Sequence, residues 1–395
     1  MNFTKEKIQI LLISSLTFPW LVSLLLNIHY SPSTQAMLSG LAVVAASFLI
    51  SWAAETAEMD VPRSFSLAMV ALLAVLPEYA VDGYFAYKAG TVGGSYVHYA
   101  TANMTGANRL LIGVGWSLVA FIAFATSRKS EVHLDEGIRL ENFFLLMATL
   151  YAFTLPLKGS IGIVDVVVFV SMYITYIFLS TKAEREETVM VGVPAYLCSL
   201  KESVRRSTVI LLFLFSGAVI LLSVEAFSEG LLGTAREFGI DEFLAVQWIA
   251  PLASESPELI VAIYFVRKLR VTAAMNALIS SKVNQWTLLI GTIALIYSIS
   301  ALKLQSLPLD QRQSEEIMLT AAQSLFGVAI LADLKINRKE AFALLFLFLV
   351  QLVLPGVEIR YLISMVYIAL SIPILLSKRS EIARSFRMVK TLWDR

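Results

Sequence analysis

Long unbroken apolar stretches dominate the chain, and charged residues gather in the short gaps between them. About twelve stretches reach the length of a membrane-spanning helix, near 8–27, 36–57, 64–88, 96–125, 141–157, 160–182, 206–230, 242–267, 272–302, 314–333, 337–356 and 359–377. A bilayer core about 30 Å thick takes roughly 20 such residues. The stretches are continuous and rich in Leu, Ala and Ile, whereas barrel strands alternate in polarity over about ten residues. The pattern therefore predicts an all-α polytopic membrane protein of about twelve transmembrane helices.

Composition agrees: 57% of the 395 residues are hydrophobic and 15% charged, with mean hydropathy +0.74. No soluble domain is expected outside the spans. The first stretch follows Lys5 and Lys7 and lacks a small-residue cleavage site, so it reads as a retained anchor. The single cysteine, Cys198, excludes an internal disulfide or a Cys cluster. His29, His98 and His133 fall in expected loops without zincin spacing. No cofactor and no nucleic-acid partner is called for; the partners are the lipid bilayer and small inorganic cations, and the sequence leaves the oligomeric state open.

Charge distribution gives sidedness. With twelve spans, 23 of the 31 Lys and Arg fall on the side of both termini, six on the other, and Arg109 and Lys282 inside spans. The basic side is cytoplasmic, which places both termini inside.

The halves repeat. "DVPRSFSLAMVALLAVLPEYAV" (60–81) and "GIDEFLAVQWIAPLASESPELIV" (239–261) each place a turn before an apolar run that reaches Pro-Glu, at Pro77-Glu78 and Pro257-Glu258. A matching second helix follows each, "ANMTGANRLLIGVGWSLV" (102–119) and "ALISSKVNQWTLLIGTIAL" (277–295). Five spans separate equivalents, so the repeats are inverted, as in secondary transporters. The resulting organisation is an N-terminal extra span and loop (1–35), a first repeat (36–182), a linker (183–205), a second repeat (206–356), and an extra span with a basic tail (357–395).

Glu78 and Glu258 fall near mid-membrane, where a charge costs roughly 2.5–3.5 kcal/mol on insertion scales and therefore faces a cavity or a partner. Asp82 lies one turn after Glu78 and Glu255 one turn before Glu258. Pro77, Pro251 and Pro257 are expected to free helix carbonyls, which are hard ligands for Na⁺ or Ca²⁺. Ser254, Asn103, Asn108, Asn284 and Gln285 add neutral oxygens, with packing hydrogen bonds as their alternative role. Arg109 and Lys282 are expected to compensate the four carboxylates, with Lys282 held by Glu78 or Glu258. Glu55, Glu58, Glu225 and Glu229 read as solvated span ends.

These repeats resemble the alpha-repeats of the calcium/cation antiporter superfamily, which includes sodium/calcium exchangers. Its signature is approximately G-T-S-x-P-E followed by G-S-N-x-x-N/D. The resemblance implies that Glu78 and Glu258 are central ligands and that Ser254 stands for the signature threonine. Several positions depart: Ala74 and Val75 replace the first hydroxyl pair, Glu255 replaces the second-repeat serine, and "SSK" (280–282) stands for G-S-N, while "GAN" (106–108) keeps it. The final N/D position falls near Leu111 and Gln285. What the resemblance implies is a secondary active antiporter moving Ca²⁺ or another cation against Na⁺ or H⁺ by alternating access, the cations being substrates and not cofactors. The alternatives are a Na⁺/H⁺ or other proton-coupled antiporter without calcium transport, and a non-transporting sensor or channel. An intramembrane enzyme using the buried acids is a further class, for which inverted repeats supply no reason.

Overall fold

The computed structural model describes residues 4–60, 75–183, 190–354 and 356–394. Residues 64–74 of the expected third stretch, and 184–189 of the expected linker, lie outside the described residues. Among the described residues nine helical segments are long and apolar enough to cross a membrane. Two further expected stretches are also helical. Gln311–Leu331 carries Arg312, Glu315 and Glu316, and Arg338–Val353 has 16 residues.

The helices follow in the order α1 (Thr4–Ser15), α2 (Phe18–Leu25), α3 (Pro32–Ala57), α4 (Leu76–Thr91), α5 (Ser95–Tyr99) and α6 (Ala102–Leu110). Next come a π-helical turn π1 (Leu111–Trp116), α7 (Ser117–Ser127), α8 (Ile138–Ala152), α9 (Thr154–Lys158), α10 (Ile163–Lys182), α11 (Val193–Cys198), α12 (Glu202–Phe238) and α13 (Glu242–Arg267). The chain continues with α14 (Val271–Asn284), a second π turn π2 (Gln285–Leu289), α15 (Ile290–Ser300), α16 (Gln311–Leu331), α17 (Arg338–Val353), α18 (Val357–Ser377) and α19 (Arg379–Asp394).

Two compact units form, Met1–Tyr84 with Arg185–Pro257, and Phe85–Glu184 with Glu258–Arg395. Each unit draws on both sequence repeats, and the divisions fall inside α4 and α13.

In the first unit α3 packs along α12. A Cβ at Gly230 would sit 2.7 Å from the backbone nitrogen of Ala36, so only glycine permits this backbone approach. Gln35 Nε2 donates to the Ala226 carbonyl at 3.0 Å. Trp20, Ala42, Ala46, Ile50, Val219 and Ile220 form a core cluster, with Leu76 and Ala80 of α4 packed against it. Beyond the end of α3, Asp60 accepts hydrogen bonds from Arg205 Nη2 at 2.6 Å and Nε at 2.8 Å, and from Arg206 Nε at 3.2 Å. The Arg205 hydrogen bond holds the Asp60 carboxyl below its ordinary value, against the opposing effect of burial.

In the second unit α16 is buried over nearly its whole length. It starts on a reciprocal cap: Asp310 Oδ1 accepts from the Gln313 backbone nitrogen at 2.7 Å, and Gln313 Oε1 accepts from that of Asp310 at 3.1 Å. Two short ladders supplement the helices. Strand β1 (Glu131–His133) pairs antiparallel with β4 (Lys335–Asn337), and β2 (Ser160–Ile161) with β3 (Leu307–Pro308). Each ladder joins two loops that twelve spans would put on one side of the membrane. His98 Nδ1 of α5 lies 2.8 Å from Oδ2 of Asp310, the residue that caps α16.

Candidate functional site

The Pro-Glu elements differ locally. Pro77 is the second residue of α4, in the first turn, where its missing N–H costs no helix bond. Pro251 and Pro257 instead lie inside the continuous helix α13. The two Pro-Glu pairs thus take two forms, one in the first turn of a helix that starts at Leu76 and one inside a continuous helix with two internal prolines.

Within the first unit, Glu78, Asp82, Ser254 and Glu255 are all buried, Asp82 and Glu255 completely. Glu78 and Asp82 share one face of α4, one turn apart. The Ser254 hydroxyl donates back to the Ala250 and Pro251 carbonyls at 3.3 and 3.4 Å. Tyr84 Oη donates to Glu229 Oε1 at 2.6 Å, which gives Glu229 a side-chain partner where a solvated end was expected.

Within the second unit, α13 carries Glu258, and α6 and α14 carry the amides. Asn103, Asn108, Asn284 and Gln285 are buried. Neither amide atom of Asn103 has a hydrogen-bond partner among the described residues. Asn284 Nδ2 donates to Tyr173 Oη at 3.2 Å and Gln285 Nε2 to Ser281 Oγ at 3.3 Å.

Lys282 is fully buried, and its ammonium donates to Asn108 Oδ1 at 2.9 Å while lying 4.7 Å from the centre of the Trp286 ring. The residues joined are the third positions of "GAN" and "SSK", 174 residues apart. The π turns begin at Leu111 and Gln285, at that same offset, so the two second elements match in backbone as well as in sequence. π turns widen a helix locally and recur at functional positions.

Arg109 does not follow the expected pattern of compensating the four carboxylates alone. Its Nη2 pairs with Glu316 Oε2, and Glu316 also accepts from Arg360 Nη1. Glu315, Glu316 and Arg360 are not among the residues that the sequence singles out. The available signal was a Glu-Glu pair inside an expected span, where a charge demands a partner. Glu141 was missed in the same way: it is buried and accepts from Tyr176 Oη at 3.2 Å. Among the described residues no three His, Cys, Asp or Glu gather as a metal cluster.

A family model described as sodium/calcium exchanger protein matches residues 30–182 and 208–357. A comparison with curated proteins found no match. Among solved structures, an H⁺/Ca²⁺ exchanger CAX is 76% identical, with both chains covered over 100% of their length and a TM-score of 0.97. Two others share the fold at low identity. YfkE, at 14%, covers 88% of this chain and 98% of its own, with a TM-score of 0.62. The sodium-calcium exchanger NCX_Mj, at 18%, covers 82% and 98%, with a TM-score of 0.55.

Proposed function

As the chain belongs to the sodium/calcium exchanger family and is a multi-pass membrane cation antiporter, we propose that it exchanges Ca²⁺ for H⁺ by alternating access. The observation that carries the choice of counter-ion is the buried Lys282 ammonium on Asn108 Oδ1. A sodium ion is held by several neutral and anionic oxygens. Here one signature amide oxygen is occupied by a fixed cation, Val75 and Glu255 replace signature hydroxyl residues, and the acids Glu78, Asp82, Glu255 and Glu258 remain. Carboxylates can release protons as a divalent ion arrives and rebind them as it leaves. The 76% identical protein bears the name H⁺/Ca²⁺ exchanger, which supports the same reading.

In this reading Glu78 and Glu258 are the central ligands, with Glu255 and Asp82 beside them and Ser254, Asn103, Asn284 and Gln285 as neutral oxygen donors. Both termini are cytoplasmic, supported by the 23-to-6 charge division and by ladders joining loops of like side. The test is Ca²⁺ uptake into proteoliposomes under an imposed pH gradient, with and without Na⁺. Uptake driven by the pH gradient in Na⁺-free buffer is expected. Uptake that requires a Na⁺ gradient, or none under either gradient, overturns the reading.

A further inference from the structure

Four buried charges meet away from the acidic ligands. Glu316 lies between two arginines, its Oε2 paired with Arg109 and its Oε1 accepting from Arg360 Nη1, which also donates to Glu315 Oε1 at 3.1 Å. None of the four side chains is more than 3% exposed, and their formal charges cancel. Removing each ion from water costs several kcal/mol, and well-packed apolar side chains often replace such a cluster without loss of stability. Stability alone is therefore a weak reason for the quartet.

Its placement supplies a stronger one. Arg109 follows Asn108, whose Oδ1 receives the Lys282 ammonium. Neighbouring helix residues point about 100° apart, so α6 is held toward α14 by Asn108 and toward α16 by Arg109. Helix α16 grips the same residue a second time. Gln323 Nε2 donates to the Arg109 carbonyl at 3.1 Å, and Gln351 Nε2 supports Gln323 Oε1 at 3.1 Å. Arg360 brings in α18, which lies almost wholly beyond the segment matched by the family model.

We propose that Glu316 and Arg360 are positioning residues for cation binding: through Arg109 they fix α6 so that Asn108 Oδ1 stays on the Lys282 ammonium. This goes beyond the choice of transported ions and does not depend on it. The experiment is a double-mutant cycle. The pair Arg109→Met with Glu316→Gln removes one positive and one negative charge together, leaving Arg360 with Glu315. Apparent KM and maximal rate for Ca²⁺ transport in proteoliposomes are measured for this pair, in the wild-type background and with Asn108→Ala. A positioning role raises KM about tenfold in the wild-type background, leaves the maximal rate within about twofold, and adds less than about twofold once Asn108 is already alanine. An equal rise in both backgrounds, or an unchanged KM whatever happens to the melting temperature, overturns the proposal. Should the pair variant fail to reconstitute, Arg360→Lys goes through the same cycle under the same criteria. It keeps the charge but lacks the planar fork that serves two carboxylates. A wild-type protein that moves no Ca²⁺ fails the calcium reading and not this one, and the cycle is then read on the cation it does move.

Discussion

Lys282 and Asn108 are the third residues of the two matching stretches "SSK" and "GAN" and are hydrogen-bonded to each other at 2.9 Å. One stretch thus supplies a built-in cation and the other an oxygen that receives it. The ammonium is compact and strongly hydrated in water, and here an amide oxygen and the Trp286 face stand among the groups that replace water.

Replacing Lys282 with Asn frees the Asn108 oxygen and removes one fully buried positive charge. Divalent binding by Lys282→Asn is expected to strengthen by about tenfold or more, since a buried ammonium repels an arriving divalent cation and Asn adds a neutral oxygen in its place. Calorimetry with Ca²⁺ or Mn²⁺ measures this. Unchanged affinity together with unchanged proton coupling would reject the built-in cation.

Glu78→Gln and Glu258→Gln keep side-chain shape and remove the charge that a cation needs. Each is expected to lower Ca²⁺ transport by on the order of 100-fold, equivalent to about 3 kcal/mol, with unaltered elution on size exclusion. Normal transport by either purified variant removes that residue from the central site.

Legibility in the sequence followed the physics of each signal. The apolar spans and the acids buried in them were readable because a charge inside an apolar run is costly wherever it falls. Partner choice was not. Nothing in local sequence says that Arg109 meets Glu316 some two hundred residues later, and Arg360, at the start of an apolar run, carries no local mark of a buried partner. The π turns were also hidden, since the wide turn leaves the apolar pattern of "LLIGVGW" and "QWTLLIG" unchanged. Pro77 looked equivalent to Pro257, yet one begins a helix and the other lies within one.

Asp60 ties the end of α3 to the start of α12 through Arg205. Because its folded-state pKa is depressed, the stabilisation is present above the unfolded carboxylate value of 3.8 and is lost as the pH falls through the lower folded value. Asp60→Asn is expected to cost about 1 kcal/mol at neutral pH. The difference in melting temperature from wild type should shrink as the pH is lowered through the carboxylate range. A difference that stays constant down to pH 3 would show that the charge of Asp60 is not what matters.

Sidedness can be read with one thiol. In a Cys198→Ser background, Leu304→Cys places a single reactive group on an exposed turn. A membrane-impermeant maleimide should label it from outside intact cells, while a reporter fused after Arg395 stays cytoplasmic. Labelling of Leu304→Cys only after the cells are opened would break the twelve-span count.

The two short ladders decide where the chain tolerates editing. In β1 and β4 only three residues meet three, Glu131 with Asn337, Val132 with Ile336 and His133 with Lys335. A one-residue insertion or deletion in either loop slips that register and turns each paired side chain to the opposite face, moving the buried Val132 and Ile336 outward. Fusion partners, affinity tags and inserted reporters therefore belong after Asp394, clear of both ladders. The loops at 131–133 and 335–337 must keep their length.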